Sequence, residues 1–206
     1  MVSKAIERLL DFQAYDGIIF DCDGTLVDTM PLHYVAWTYV LKRYGMSFSE
    51  ERFFQMGGIS TEKTAALLAH EASVSIDAKA VAREKDETFL RELHQVKPIE
   101  KAVAYARRAH HHRPLAVATG ATRLCAELEL KHVDILHLFK AIVAAEDVVH
   151  HKPSPDVYLE AARRIGVRPE RCLAFDDTPI GLKAAQDAGM VAIDVAELIA
   201  LPSFPA

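Results

Sequence analysis

Five short apolar runs punctuate the chain, each continuous rather than alternating with polar residues. They are Gly17-Ile18-Ile19-Phe20, Pro114-Leu115-Ala116-Val117-Ala118, Ala141-Ile142-Val143-Ala144, Cys172-Leu173-Ala174-Phe175 and Met190-Val191-Ala192-Ile193. Runs of this length suit strands, and a strand apolar at every position is one covered on both faces. Segments of helical periodicity separate them at 99–110, 122–131, 155–166 and 179–188, with Gly166 and Gly189 placed as helix stops. Strands and helices in alternation predict an α/β fold built on a doubly wound parallel sheet.

One stretch breaks the alternation. Between Met30 and Val96 the pattern holds only helical periodicity, in pieces at 33–44, 50–56, 61–72 and 77–94, punctuated by Gly45, Gly57-Gly58 and Pro98. The predicted organisation is therefore a discontinuous α/β core domain, residues 1–29 and 97–206, interrupted by an all-helical domain at 30–96. Trp37, Phe53 and Phe54 are expected in the core of that insert. The first residues, MVSKAIERLLDF, read as an amphipathic helix without the apolar centre of a signal peptide.

Composition narrows the class. The chain has 206 residues, 50% hydrophobic and 26% charged, which suits one globular domain carrying an insertion. Lys plus Arg less Asp plus Glu gives 24 − 29 = −5, which argues against nucleic acid or an anionic membrane as the main partner. No apolar run approaches the ~20 residues of a membrane helix. Cys22, Cys125 and Cys172 are odd in number and lack CxxC spacing, so neither a disulfide framework nor a thiolate zinc site is expected. A cytoplasmic protein is expected, with a monomer as the default.

The chemistry collects where strands end. In open parallel sheets, ligands bind beyond the C-terminal ends of the strands. The first run leads into Asp21-Cys22-Asp23-Gly24-Thr25, the second into Thr119-Gly120, and the fourth into Asp176-Asp177-Thr178; after the third comes His150-His151-Lys152-Pro153. Asp21, Asp23, Asp176 and Asp177 cannot all be ionised in one crevice without a cation. Oxygen ligands with no metal-binding cysteine select a hard ion, and Mg²⁺ suits a site shared with phosphate. An aspartate can attack phosphorus, and a carboxylate two residues on can serve as general acid and then base. Lys152 and the Thr119 hydroxyl would hold the phosphoryl oxygens. Gly24 would let the backbone turn its N–H groups toward phosphate.

Blander readings stand beside these. His110-His111-His112 reads as a solvated helix end, because consecutive helical side chains face different partners. His150-His151 reads as loop packing or support for Lys152. Cys22 reads as a small buried side chain. For His33 both packing within the helical insert and contact with substrate stay open.

The motifs DCDGTLVDT (21–29), ATGA (118–121), HKPSPD (151–156) and FDDTPIG (175–181) resemble, in order and spacing, those of the haloacid dehalogenase-like hydrolase superfamily. The resemblance spans the chain, with the helical insert in the place of that family's cap. It implies a Rossmann-like core, Asp21 as nucleophile and Asp23 as general acid/base, with Thr119 and Lys152 at the phosphate, joined by Gly24, Thr25 and Gly120. It also implies Mg²⁺ held by Asp21, Asp23 through its backbone carbonyl, Asp177 and the neighbouring Asp176. A carboxylate at Asp23 places the chain with phosphotransferases rather than dehalogenases. The segment TMPLHYVAW (29–37) resembles the β-phosphoglucomutase and sugar phosphatase branch, with His33 near substrate and Gly58 in the loop that closes on the core. Thr61 stands where the mutases carry a phosphate-clamping Arg, and Lys63 is out of register with the phosphonatase Schiff-base Lys. The run AEDVVHHKPSPD is most similar to bacterial fructose-1-phosphate phosphatases. The implied substrate is a small phosphorylated metabolite such as a hexose phosphate. A mutase-like phosphotransferase and a non-catalytic binder of phosphorylated metabolites are the alternatives.

Overall fold

All five apolar runs form strands of one parallel sheet in the computed structural model, which describes residues 10–201. They are β1 (Gly17–Phe20), β4 (Leu115–Ala118), β5 (Ala141–Val143), β6 (Cys172–Asp176) and β7 (Val191–Asp194), ordered β5-β4-β1-β6-β7 across the sheet. Ile19 of the central strand pairs with Ala116 on one side and Ala174 on the other. Alternate residues point to opposite faces. Ile18, Phe20, Val117, Leu173 and Phe175 pack beneath α5 (Glu100–His110), α6 (Arg123–His132) and α9 (Val195–Ile199). Ile19, Ala116, Ala118 and Ala174 pack beneath α7 (Asp156–Ile165) and α8 (Pro179–Asp187). Burying a side chain such as Phe20 contributes about 1.5–3 kcal/mol, and its ring also stacks on Phe175 at 5.1 Å.

This order places the site. The chain steps from β1 to β4 to β5 in one direction, then crosses back to β6 and β7 on the other side of β1. Loops leaving the ends of β1, β4 and β6 therefore part to opposite sides and leave a crevice between them.

Residues 30–96 contribute no strand. They form α1 (Met30–Arg43), α2 (Glu50–Gln55), α3 (Thr61–Glu71) and α4 (Ala78–Leu90), with an apolar cluster of their own around Trp37, Leu41, Phe53, Leu68 and Val81. Ser49 and Asp77 cap α2 and α4 by accepting from the N–H groups of Arg52 and Ala80. Phe54 departs from expectation: it is 51% exposed, because a six-residue helix buries only one of two adjacent aromatic side chains. The helix expected to run to residue 94 ends at Leu90, and a 3₁₀ turn at Leu93–Gln95 follows.

The sequence pattern missed the short elements. β2 (Val27–Asp28) and β3 (Lys97–Pro98) form an antiparallel ribbon where the chain leaves the sheet for the helices and where it returns. Two residues are too few to register as periodicity. The N-terminal helix expected over residues 1–12 lies almost wholly outside the described residues, which show only a 3₁₀ turn at Phe12–Ala14. Among the described residues no helix is long and apolar enough to cross a membrane.

Candidate active site

At the end of β1 the Asp21 backbone N–H donates to the Phe175 carbonyl of β6, which fixes the buried side chain at the centre of the crevice. Lys152 Nζ donates to Asp21 Oδ1 at 2.9 Å and to Asp176 Oδ2 at 2.7 Å. Asp176 also accepts from the Tyr158 hydroxyl at 2.6 Å, and from the N–H and hydroxyl of Thr178 at 2.9 and 2.7 Å. Four donors thus occupy this fully buried carboxylate. Its geometry is that of an anchor for Lys152, whose ammonium is held charged against burial by the two aspartates.

Asp177 follows on the same turn, its Oδ1 accepting from the Thr25 hydroxyl at 3.1 Å. Gly24 makes the approach possible. Its φ is +74°, and a Cβ there would lie 2.3 Å from Asp177 Oδ2. Asp21, Asp176 and Asp177 bring carboxylate oxygens within 4.8 Å of one another. Burial first, then the neighbouring carboxylates, push Asp21 well above the usual carboxylate range despite Lys152, and lift Asp177 to about 7. Crowded, buried, oxygen-only donors with too little positive charge fit a hard divalent cation. With Asp176 engaged by its four donors, Asp21 and Asp177 are the carboxylates free to turn to it.

The Asp23 carboxylate stands outside this cluster. It accepts from the Thr29 hydroxyl at 2.5 Å and meets His33 Nε2 at 2.8 Å. His33 Nδ1 in turn lies 2.9 Å from Lys85 Nζ, and its ring stacks on Phe89 at 3.9 Å. Lys85 has only protons to give, so His33 accepts at Nδ1 and presents Nε2–H to Asp23. Burial and the Lys85 charge hold His33 below its usual value, in keeping with a neutral ring. Burial would raise Asp23, but the hydrogen bonds from His33 and the Thr29 hydroxyl and the charge of Lys85 outweigh it and hold that carboxyl below its usual range. Of the two readings of His33, packing within the helical insert is seen in the stack on Phe89, and the ring adds a contact with Asp23 that neither reading included.

Thr119 ends β4, its N–H bound to the Val143 carbonyl and its oxygen accepting from Ala121 N–H at 3.0 Å, so its O–H remains a donor. Gly120 touches the 57–60 loop: a Cβ there would lie 2.8 Å from the Gly58 carbonyl. Together with Asp21, Asp23 and His33 these residues line a chamber of about 80 Å³. Of the sequence-derived site residues, Asp21, Asp23, His33, Gly58, Thr119 and Gly120 line this chamber, while Lys152, Asp176, Asp177, Gly24 and Thr25 lie outside its lining and join it through the contacts among Asp21, Lys152, Asp176 and Asp177.

Several partners escaped the sequence reading. Lys85, Tyr158 and Glu129 lie inside helices, where periodicity marks buried positions but not their chemistry. Glu129 is fully buried; Cys22 Sγ donates to its Oε2 at 3.3 Å, while Oε1 has no hydrogen-bond partner among the described residues. Cys22 is buried as expected, its thiol pushed up by burial and by Glu129. His110 is more than a solvated end, since Nδ1 pairs with the Leu138 carbonyl.

The family model described as haloacid dehalogenase-like hydrolase matches residues 18–195. The chain belongs to this family. The fructose-1-phosphate phosphatase YqaB of Escherichia coli is 40% identical over 185 residues, covering 89% of this chain and 98% of that one. The β-phosphoglucomutase of Bacillus subtilis is 24% identical over 188 residues, covering 88% and 83%. A crystal structure of CbbY from Rhodobacter sphaeroides in complex with phosphate is 30% identical, with a TM-score of 0.74 over 87% of this chain and 85% of that one. The haloacid dehalogenase-like chain described here thus shares its α/β architecture with enzymes of phosphate chemistry.

Proposed function

We propose that this hydrolase is a Mg²⁺-dependent phosphatase of small phosphorylated metabolites, hexose phosphates such as fructose 1-phosphate foremost. Two carboxylates in different protein surroundings carry the reading. Asp21 is paired with a cation and crowded by carboxylates, while Asp23, two residues on, is paired with hydrogen-bond donors. Environments that pull two carboxyls apart in this way suit different roles in one reaction.

In this reading Asp21 attacks phosphorus and forms an aspartyl-phosphate. Asp23 gives a proton to the departing alkoxide and then takes one from the water that hydrolyses the intermediate. The low value of Asp23 leaves it ionised before substrate arrives, the form required for the second step. An incoming phosphate dianion disfavours that charge and moves Asp23 toward the protonated form required for the first. Lys152 and the Thr119 hydroxyl hold phosphoryl oxygens. The carboxylates of Asp21 and Asp177 and the backbone carbonyl of Asp23 would hold Mg²⁺, with Asp176 fixing the geometry behind them. When bound, the ion neutralises phosphate and carboxylates together. Residues 30–96 act as a cap that excludes water, bringing His33 and Lys85 to Asp23 as it closes. Three free cysteines, all buried, accord with a reducing compartment.

The test is Mg²⁺-dependent phosphate release from a panel of sugar phosphates, phosphoglycolate and aminoethylphosphonate, with Asp21→Asn as control. Release from a hexose phosphate is expected, abolished by EDTA and lowered at least about 10³-fold in the variant while its thermal unfolding stays cooperative. Near-wild-type release by Asp21→Asn would remove the nucleophile. Conversion of β-glucose 1-phosphate to glucose 6-phosphate without phosphate release would establish a mutase instead.

A further inference from the structure

The chamber that holds Asp21 and Asp23 is small. At about 80 Å³ it is much the smaller of the two spaces at this end of the molecule. It adjoins a cleft of about 690 Å³ between the helical segment and the core's α6 with the loops that follow β4 and β5. Thr61, Asp86, Gly120 and Cys125 border both spaces and so form the neck between them. A leaving group extending from Asp23 passes this neck, and Asp86 is its one charged side chain.

Nothing in the catalytic steps calls for a carboxylate here. Lys85 is already held by His33 Nδ1 at 2.9 Å and by the faces of Trp37 and Phe89, whose ring centres lie 5.8 and 5.5 Å away. Asp86 Oδ1 nevertheless accepts from Lys85 Nζ at 3.1 Å, and Oδ2 from the Thr122 hydroxyl at 3.2 Å. Each oxygen has two lone pairs, so each keeps room for another donor. Two consequences follow for a molecule in the neck. A hydroxyl finds acceptors held in place from both sides. A second phosphate in the neck meets a carboxylate and finds no free cation, because Lys85, the one lysine or arginine among the described residues lining the chamber, is paired with Asp86; Lys63, Lys79 and Arg83 lie farther out, in the cleft.

We propose that Asp86 sets the specificity of the site, receiving a hydroxyl of the leaving group and turning away substrates that carry a second phosphate. The inference rests on the phosphatase reading and names the substrate class within it: polyhydroxy monophosphates rather than bisphosphates. Thr122 is the positioning residue that aims the carboxylate. Specificity arises here from an attractive contact for one substrate and a repulsive one for its competitor.

Steady-state kinetics on fructose 1-phosphate, fructose 1,6-bisphosphate and phenyl phosphate, which has no hydroxyl to offer, tests it. In Asp86→Asn, kcat/KM for fructose 1-phosphate is expected to fall about tenfold, mainly through KM, since a hydrogen-bonding site loses its acceptor. Turnover of the bisphosphate is expected to rise, so that the ratio between the two shifts about 100-fold. Thr122→Val, which keeps the charge and frees it to turn, is expected to move the ratio in the same direction by less. Equal changes for all three substrates would mark a merely structural residue and overturn the proposal, as would an unchanged ratio in both variants. Absence of phosphate release by the wild-type protein from every substrate would remove the phosphatase reading itself, and the wild-type arm alone shows that.

Discussion

A carboxyl group that keeps its proton to about pH 7 when folded, but only to about 3.8 when unfolded, ties stability to pH, and Asp177 is such a group. Below pH 3.8 both states are protonated and its contribution is fully present. As pH rises toward 7 the unfolded chain releases the proton and the folded one does not, so stability falls. Asp21 and Glu129, also raised by burial, add to the same slope, and outnumber His33, whose depressed value contributes the opposite sign as pH rises through 6.5. The metal-free protein is therefore expected to melt at lower temperature at pH 8 than at pH 5, and Mg²⁺ to raise Tm more at pH 8, where protons no longer compete for the carboxylates. Thermal unfolding with and without the ion checks this; Asp177→Asn should flatten the slope, and an unaltered slope would exclude Asp177 as its source. At this scale the sequence disclosed the groups at the ends of apolar runs, because a polar residue there has a known destination. Lys85 and Glu129 were illegible for the opposite reason. A buried lysine or glutamate within a helix is written in the same letters as a solvated one, and only tertiary packing decides which it becomes.

Among the elements, α8 shows how one residue serves both fold and site. Thr178 caps it, its oxygen accepting from Gly181 N–H at 3.1 Å while its hydroxyl donates to Asp176. Thr178→Val removes both bonds and keeps the shape. A lost cap costs about 1 kcal/mol, and the loosened Asp176 leaves Lys152 less firmly aimed at Asp21. A lower Tm together with a reduced kcat is expected. A lower Tm with unchanged kinetics would confine Thr178 to capping. The main strands and helices were legible because each repeats its pattern over enough residues to declare a period. The β2–β3 ribbon was not: Val27 pairs with Pro98 and Asp28 with Lys97 across the whole length of the helical segment, and no local pattern encodes that meeting.

For the molecule as a whole, the parallel sheet could be read from the sequence and its strand order could not. The order follows from which helices fit which face. The small residues Ala116, Ala118 and Ala174 admit α7 and α8 closely, while Phe20, Phe175 and Tyr105 fill the space under α5. Within this well-filled interior one position is out of keeping. Glu129 sets a carboxyl within 4.8 Å of Asp23 and His33, with one oxygen unpartnered among the described residues and a weak thiol donor on the other. Leaving a buried polar atom unsatisfied costs about 1–3 kcal/mol, and in a chain of this length each kcal/mol moves Tm by about 2–4 °C. Glu129→Leu is accordingly expected to give a more heat-resistant protein, measurable by calorimetry; a Tm that falls would mean that the carboxyl stabilises its surroundings in some way its visible contacts do not account for. The fold is held below the heat resistance its packing allows, and position 129 is where that reserve can be recovered.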